Sequence, residues 1–325
     1  MVPTDIFILN VGSGSCTIVS HPSGRKTMID INNGGELRSY EYEALAEGSS
    51  RDVALREAAA LKQALVNPID WYIKTFGTRE LWRFILSHPD ADHMAGIRCL
   101  FDGHLVPFNF WDTNHTKPIK GPADYTNENA YKDALAYYGW RQTPSDGRSP
   151  RRIETQAFDQ SDFWPQDGIE ILSPSDALVQ DRSDVGDWNN LSYALRITHA
   201  GSSVLVPGDV EQVGWNWMAD ACQRRGVDLT SDVLVASHHG RESGYPDEGV
   251  LDLIDPSAVI VSAGAIPEKD SALRRYKDNV EHVFSTRRLG SLLVRIYDHG
   301  EIDIATGVDT FESVETVLAL RAQHI

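Results

Sequence analysis

A strand-like run at 81–87 passes directly into a short segment rich in histidine and aspartate, and this juncture constrains the fold of the 325-residue chain strongly. The run LWRFILS has the length and apolar character of a buried strand, and HPDADH follows at once. Pro89 prevents helical continuation from the strand, whereas MAGIRCLF (94–101) predicts the start of a helix. The sequence therefore predicts a tight strand-to-helix loop that turns four polar side chains inward. They are His88, Asp90, Asp92 and His93.

The residue types in this loop are those that bind divalent transition metals. Imidazole and carboxylate groups are the usual ligands of such ions. Asp90 and Asp92 would also repel each other without a cation between them. The alternative is an acidic first helical turn in which Asp90 or Asp92 serves as the N-cap.

Two further apolar runs end in residues of the same chemistry. SSVLVPGDVE places Gly208 and Asp209 after one predicted strand, and DVLVASHHG places His238, His239 and Gly240 after another. Folds that combine helices and strands commonly display functional side chains on the loops at strand ends. Three such clusters are hard to explain by chance, and together they favour a metal site.

Composition limits the function classes. The apolar content of 41% supports a substantial core, and no apolar run reaches about 18 residues. Cys16, Cys99 and Cys222 are scattered, and no secretion signal is visible, so we expect a cytoplasmic location. A net charge of −17 argues against a large nucleic-acid footprint. Basic stretches at 147–152, 274–277 and 286–288 are either local patches or solvated surface charge.

Strand-like segments at both ends of the chain, with helical segments between them, predict one α/β domain over 1–325. We expect an αββα sandwich, with two mixed β-sheets flanked by helices. The segment at about 101–165 is rich in Asn, Thr, Pro and Gly. It predicts an irregular insertion, either a lid over a site or a surface loop. The segment 309–322 predicts a helix.

Together these motifs resemble the metallo-β-lactamase fold superfamily, whose signature is HxHxDH followed by an Asp and a His at one edge of an αββα sandwich. They are most similar to the hydrolase domain of the ComEC competence channel and its soluble relatives. The resemblance extends from about 5 to 305. The motifs that carry it are FILNVGSGSCTIV, TMIDINNGG, SHPDADHMAGI, WNNLSYALRI, VPGDVE and SHHG. The 325 residues contain no counterpart of the membrane-channel part of ComEC, so we do not expect DNA transport from the resemblance.

The resemblance implies a ligand set for one or two divalent ions, Zn²⁺ or Mn²⁺. One ion would take His88, Asp90 and Asp209. A second would take Asp92, His93, Asp209 and one of His238 and His239. We predict His238 as this ligand because it comes first after the strand, which leaves His239 for substrate contact or acid/base chemistry. Asp30 would orient ligands from beneath the site, or would only cap a turn.

The chain departs from the family pattern at three positions. Asp90 stands where the wider superfamily usually has His, which favours Mn²⁺ more than an all-imidazole site would and makes a one-metal enzyme possible. Ser15 stands where the relatives usually have Asp. Arg241 replaces their Ser after HHG, and it could clamp a phosphate or form a surface ion pair.

These features predict a metal-dependent hydrolase, and the resemblance implies a phosphodiesterase or nuclease acting on a single-stranded nucleic acid or a nucleotide. Asp92, His239 and Arg241 are the candidate catalytic residues. The candidate substrate contacts are Asn189, Ser192, Arg241 and Ser243, although Asn189 and Ser192 could equally pair with each other. Trp111, Tyr125 and Tyr131 could stack on bases or anchor the loop.

Two other functions are alternatives to a phosphodiesterase. One is a hydrolase of a lactone, thioester or other non-phosphate ester, and the other is a non-catalytic metal-binding scaffold in a bacterial multi-protein system.

Overall fold

Two β-sheets packed face to face form the centre of the computed structural model, and helices cover both outer faces. The predicted αββα sandwich of two mixed sheets is confirmed. The residues that the structure describes are 2–33, 37, 39–47, 49–100, 105–142, 150–159, 161, 164–309 and 314–320.

The first sheet has nine strands in the described part of the chain. Its strands are antiparallel from one edge as far as β3 and parallel from β3 to β7. In spatial order they are β16 (Glu315–Leu320), β15 (Ile302–Thr306), β14 (Leu292–Ile296), β1 (Thr4–Ile8), β2 (Thr17–Ser20), β3 (Lys26–Ile29), β5 (Leu81–Ile85), β6 (Pro107–Trp111) and β7 (Arg151–Ile153). A short strand, β4 (Ile31–Asn32), bridges Met94 and Ala95 instead.

The second sheet has six strands in the described residues. Its order is β13 (His282–Ser285), β12 (Ala258–Val261), β11 (Val233–Val235), β10 (Ser202–Val206), β9 (Ala194–His199) and β8 (Ile169–Ser173). The strands from β13 to β10 are parallel, so the carboxyl ends of β10 and β11 lie at the same edge of the sheet. That edge is where two of the three predicted polar clusters follow their strands.

Side-chain alternation along the strands separates three cores. In β1, Ile6 and Ile8 belong to the cluster between the two sheets, whereas Phe7 belongs to the cluster beneath the helices of the first sheet. This is the period of two that a strand imposes on its side chains. On the outer face of the second sheet, Leu205 and Leu234 pack with Trp215 of a covering helix.

The helices fall into two groups along the chain. Those before β8 are α1 (Ser39–Ala46), α2 (Arg51–Gln63), α3 (Pro68–Phe76), α4 (Ala91–Met94), α5 (Ile97–Cys99) and α6 (Glu128–Gln142). Those after it are α7 (Asp176–Val185), α8 (Gln212–Arg225), α9 (Glu248–Ile254), α10 (Leu273–Asn279) and α11 (Thr286–Leu289). Among the described residues, none of the helices combines the length and apolar character that crossing a membrane requires.

Two segments differ from the sequence-based expectation. The segment at 101–165 contains β6, α6 and β7 among its described residues, because Tyr137 and Trp140 of α6 pack edge-on against Phe110 of β6. Its role as a lid and the single-domain boundary of 1–325 stay predictions. The helix predicted at 309–322 is wrong for Glu315–Leu320, which pairs with the exposed edge of β15 as a strand. Residues 310–313 and 321–325 lie outside the described residues.

A buried ion pair joins a strand of the first sheet to the turn that leads into the second sheet. Arg83 of β5 lies 3.2 Å from Asp167, which lies two residues before β8, and its guanidinium also donates to Thr27 Oγ1 at 3.0 Å. Both side chains are almost fully buried. Removing one partner of such a pair leaves the other charge buried without its main compensation.

We therefore expect Arg83→Met to lower the free energy of unfolding by about 3 kcal/mol. The measurement is urea denaturation followed by tryptophan fluorescence. The double variant Arg83→Met/Asp167→Asn should recover part of this loss, since it removes the uncompensated charge. An equal loss in the single and double variants would show that packing, rather than charge, accounts for the effect.

Candidate metal centre

Three loops meet where the two sheets adjoin, and each follows the carboxyl end of a strand. The loop after β5 carries His88 and His93, and the loops after β10 and β11 carry Asp209 and His239. These four side chains are buried. The sandwich therefore brings the three clusters predicted from the sequence to one place.

The Asp209 carboxylate lies at the centre of this arrangement. Its Oδ2 atom is 3.1 Å from His93 Nε2, 3.5 Å from His239 Nε2 and 3.9 Å from His88 Nε2. Burial alone would raise the pKa of Asp209, but His239 and His93 hold that pKa well below its usual range. Asp209 is therefore a carboxylate with imidazoles on several sides, as a bridging ligand would be.

The glycine before Asp209 permits this close approach. Gly208 has a φ of +61°, and a Cβ atom there would lie 3.0 Å from the Cβ atoms of Ser192 and Ser87. The Asp209 N–H then donates to Ser192 Oγ at 3.2 Å. The Gly-Asp pair in the sequence is thus a backbone requirement as well as a ligand position.

The first candidate ligand group consists of His88, His93 and Asp209, whose nearest ligand atoms all lie within 4.8 Å of one another. His88 Nε2 is buried and has no hydrogen-bond partner within the described residues. It lies 3.9 Å from Asp90 Oδ2 as well as from Asp209 Oδ2. Two atoms that bind one ion at about 2.1 Å lie no more than about 4.2 Å apart. The donor types and spacings therefore fit a divalent ion.

The alternative reading of Asp90 as a helix cap does not match its contacts. Asp90 occupies the N-cap position of α4, but its side chain makes no capping hydrogen bond. Its Oδ1 atom accepts from Lys117 Nζ, and its Oδ2 atom faces His88.

The second candidate ligand group consists of Asp92, His93 and His239. His239 Nε2 lies 3.3 Å from His93 Nε2 and 3.6 Å from Asp92 Oδ2. His238 Nε2 is 3.8 Å from Asp209 Oδ2, and its Nδ1 contacts Glu211 Oε1 at 3.0 Å and Ser243 Oγ at 2.8 Å. Within the described residues, His239 belongs to one of the two ligand groups and His238 to neither, so we assign the ligand role to His239, and the choice of His238 stays a prediction.

The backbone of the SHHG segment sets the directions of the His238 and His239 side chains. His238 and His239 both have left-handed φ angles, of 49° and 58°, and Gly240 continues with 76°. This turn places both Nε2 atoms within 4 Å of Asp209 Oδ2, and it brings the second imidazole close to Asp92 and His93 as well. Successive residues in the left-handed region cannot be read from residue order alone.

Asp30 lies directly behind His93. Its Oδ2 atom is 2.7 Å from His93 Nδ1, and its carboxylate accepts from both the N–H and the hydroxyl of Ser87 at 2.7 Å. This contact orients the ring so that Nε2 faces the site. Although burial lowers it, the carboxylates of Asp209 and Asp30 raise the pKa of His93 well above its ordinary value. The pocket therefore has a negative potential that favours a cation.

The predicted substrate contacts each have a partner within the protein. Asn189 Nδ2 donates to Glu211 Oε1 at 3.3 Å, and Ser243 contacts His238. The Ser192 N–H donates to the Asn189 carbonyl at 3.0 Å, so these two residues are joined through the backbone. The Arg241 guanidinium lies 4.8 Å above the ring of Tyr40.

Two polar neighbours of the centre were missing from the sequence-based set. Glu211 lies two residues after Asp209, and its acidic side chain in VPGDVE was a visible signal. Lys117 contacts Asp90, and its Nζ also donates to the Pro89 carbonyl at 2.9 Å. No local pattern marks Lys117, because it lies 27 residues from Asp90 in sequence.

The predicted basic stretches do not form a free cationic surface in the described residues. Arg274, Arg275, Lys277, Arg287 and Arg288 line one groove of about 1050 Å³. Five carboxylates line the same groove, namely Glu47, Glu57, Glu242, Glu268 and Asp278. Arg152 instead contacts the buried Asp112 at 3.0 Å, and residues 147–149 lie outside the described residues.

The predicted stacking aromatics differ in accessibility. Trp111 is buried between the sheets, where it packs against Trp164. Tyr125 and Tyr131 contact each other at a ring separation of 5.4 Å, and both are partly exposed.

Comparison with curated proteins gives two competence proteins. The chain is 24% identical to ComE operon protein 3 of Bacillus subtilis (strain 168) over 260 residues, which are 80% of this chain and 28% of that protein. It is 26% identical to competence protein ComA of Neisseria gonorrhoeae over 191 residues, which are 58% of this chain and 21% of that protein. The similarity to competence proteins is confirmed, and the chain spans about a quarter of the length of these two relatives. No protein-family profile matches the chain.

Three solved structures are similar to this one at low sequence identity. A diphosphatase from the PhnP family is 10% identical, with 87% of this chain and 94% of that chain covered and a TM-score of 0.37. The hydrolase AbOPH of the beta lactamase superfamily is 15% identical, with 60% and 55% covered and a TM-score of 0.29. A long form RNase Z from yeast is 12% identical, with 81% and 38% covered and a TM-score of 0.34. Because all three TM-scores lie below 0.5, the fold assignment rests on the two sheets themselves.

The two adjacent histidines give a direct test of the ligand geometry. We expect His239→Ala to weaken Mn²⁺ binding by about 100-fold and His238→Ala by less than about tenfold, because only His239 lies in a ligand group. Isothermal titration of chelator-treated protein measures both affinities. His299→Ala, a change at an exposed histidine outside the site, is the control. A larger loss with His238→Ala would restore the original assignment.

Proposed function

We propose that this chain is a metal-dependent hydrolase that cleaves phosphodiester bonds in a single-stranded nucleic acid or a nucleotide. The observation that supports the hydrolase activity is the convergence of His88, His93 and His239 on the Asp209 carboxylate. The phosphodiester class rests on the resemblance to the ComEC hydrolase domain. The net charge of −17 favours a single strand or a small nucleotide over a long duplex. A cytoplasmic location stays a prediction from the sequence.

The described residues divide into two proposed ligand sets that share Asp209. We call them the Asp90 subsite (His88, Asp90 and Asp209) and the His239 subsite (Asp92, His93, His239 and Asp209). A divalent ion, Zn²⁺ or Mn²⁺, would supply a Lewis acid and a bound water of lowered pKa. Asp30 keeps His93 oriented toward the site through the 2.7 Å contact at Nδ1.

Two side chains at the rim complete the proposed mechanism. The Asp92 side chain is partly exposed, and its Oδ2 atom is 3.6 Å from His239 Nε2. It would accept a proton from the attacking water. His238 is held at Nδ1 by Glu211 and Ser243, which leaves its Nε2 atom to donate a proton to the leaving oxygen. Arg241, Asn189 and Ser192 remain candidate contacts to the phosphate.

The first test combines elemental analysis with turnover. Protein purified without chelator should contain near-stoichiometric metal and should hydrolyse bis(4-nitrophenyl) phosphate with added Mn²⁺ or Zn²⁺. His88→Ala should lose the ion of the Asp90 subsite and most turnover, since it removes a buried imidazole whose Nε2 has no hydrogen-bond partner among the described residues.

The competing functions give different results in the same assay. Metal without phosphodiester turnover, together with hydrolysis of a lactone or thioester panel, would move the assignment to a non-phosphate ester. Bound metal with no turnover on any of these substrates would favour a scaffold. Absence of bound metal under every loading condition would contradict the proposal as a whole.

A second prediction concerns His238 and the leaving group. His238→Ala should lower kcat about 100-fold or more on an oligonucleotide, because the departing alkoxide needs a proton. It should change kcat much less on bis(4-nitrophenyl) phosphate, since nitrophenolate leaves without one. Steady-state kinetics on the two substrates measure this difference. Equal losses on both would place His238 in a structural or ligand role.

A further inference from the structure

We propose that Lys117 is a positioning residue of the Asp90 subsite. It orients the Asp90 carboxylate and offsets the negative charge of that carboxylate. The subsite would then bind its ion less tightly than its three ligands alone would. The inference rests on the proposed function. It concerns the position at which this chain carries Asp where the wider superfamily usually has His.

The two oxygen atoms of Asp90 have different partners. Oδ1 accepts from Lys117 Nζ, and Oδ2 lies 3.9 Å from His88 Nε2. Lys117 Nζ also donates to the Pro89 carbonyl at 2.9 Å, so two adjacent residues hold the ammonium group. One carboxylate oxygen is therefore fixed by a cation and the other faces the subsite.

The backbone of Lys117 is also fixed. Its N–H donates to His115 Nδ1 at 3.0 Å, and its carbonyl accepts from Tyr138 Oη at 2.7 Å. The side chain is only 18% exposed, and its Nζ atom lies 5.7 Å from the centre of the Trp188 ring. Lys117 is thus held in place by its neighbours and is not a freely moving surface lysine.

A buried network behind Lys117 keeps this loop in place. Tyr137 Oη donates to Asp112 Oδ1 at 2.6 Å and lies 2.6 Å from His115 Nε2. Arg141 Nε donates to Asp112 Oδ2 at 2.7 Å, and Arg141 Nη2 donates to the carbonyls of Thr113 and His115. Burial, with Arg141 and Lys117 nearby, lowers the pKa of His115 to about 2, so the ring is neutral and Nδ1 can accept from Lys117.

Charge explains what this arrangement achieves. A carboxylate paired with an ammonium group carries the same net charge as the neutral imidazole that it replaces. The subsite keeps an oxygen ligand while its total negative charge does not rise. Removing the ammonium group would leave that charge uncompensated and would strengthen the attraction for a divalent ion.

The test is Mn²⁺ binding to the chelator-treated 325-residue chain, measured by isothermal titration and by counting ions with native mass spectrometry. Lys117→Met should tighten one ion at least tenfold, or reveal an ion that the parent does not retain, and should leave the other ion unchanged. Lys117→Arg should behave as the parent because it keeps the charge. Lys132→Met is the matched control, since it removes one positive charge from exposed Lys132 on α6.

A second comparison protects the test against misfolding of one variant. Lys117→Gln keeps a donor for the Pro89 carbonyl and should tighten the same ion. On an Asp90→Asn background, adding Lys117→Met should tighten the ion less than it does in the parent, because only the direct repulsion between the ammonium group and the ion is then removed. Circular dichroism verifies that each variant is folded.

The possible outcomes separate this inference from the proposed function. Weaker binding in Lys117→Met would show that Lys117 only anchors Asp90, and unchanged binding would show that it has no effect on the ion. Either result overturns the inference while the hydrolase proposal stands. A parent protein that binds no ion under any loading condition overturns both.

Discussion

The contacts between the Asp209 carboxylate and the surrounding imidazoles are the interaction on which the site depends. Asp209 comes from the second sheet, whereas His88 and His93 come from a loop of the first, so these contacts exist only when the two sheets pack correctly. Gly208 allows the approach by leaving room for Ser87 and Ser192. A buried carboxylate without compensation would be costly. The polar centre and the apolar layer between the sheets therefore require each other.

Backbone strain at the ligand loop is the second feature that the fold supports. His238, His239 and Gly240 occupy the left-handed region in succession, and for residues other than glycine this costs of order 1–3 kcal/mol each. Ser237 stabilises the turn, because its hydroxyl donates to the Val210 carbonyl at 2.6 Å. Such strain concentrates at functional sites. Here it gives two adjacent histidines different partners, and we assign them different roles for that reason.

Electrostatics connect the centre to the segment between β6 and β7. Asp90 adds a negative charge to a group that already contains Asp209, and Lys117 returns a positive one. The helix α6 holds Lys117 through the buried Asp112 and the ring of His115. A segment that reads as irregular in sequence thus contributes an ordered cation beside the proposed ligands.

The sequence by itself determined the elements with strong local signals. The apolar runs predicted β5, β10 and β11, and the polar residues at their ends predicted the loops that carry His88 and Asp209. Only the tertiary structure placed His239 beside Asp92 and His93, since this depends on consecutive left-handed backbone angles. It also decided that Glu315–Leu320 pairs as a strand and that Lys117 contacts Asp90. Both are pairings between distant segments, and their energies come from contacts that no local pattern contains.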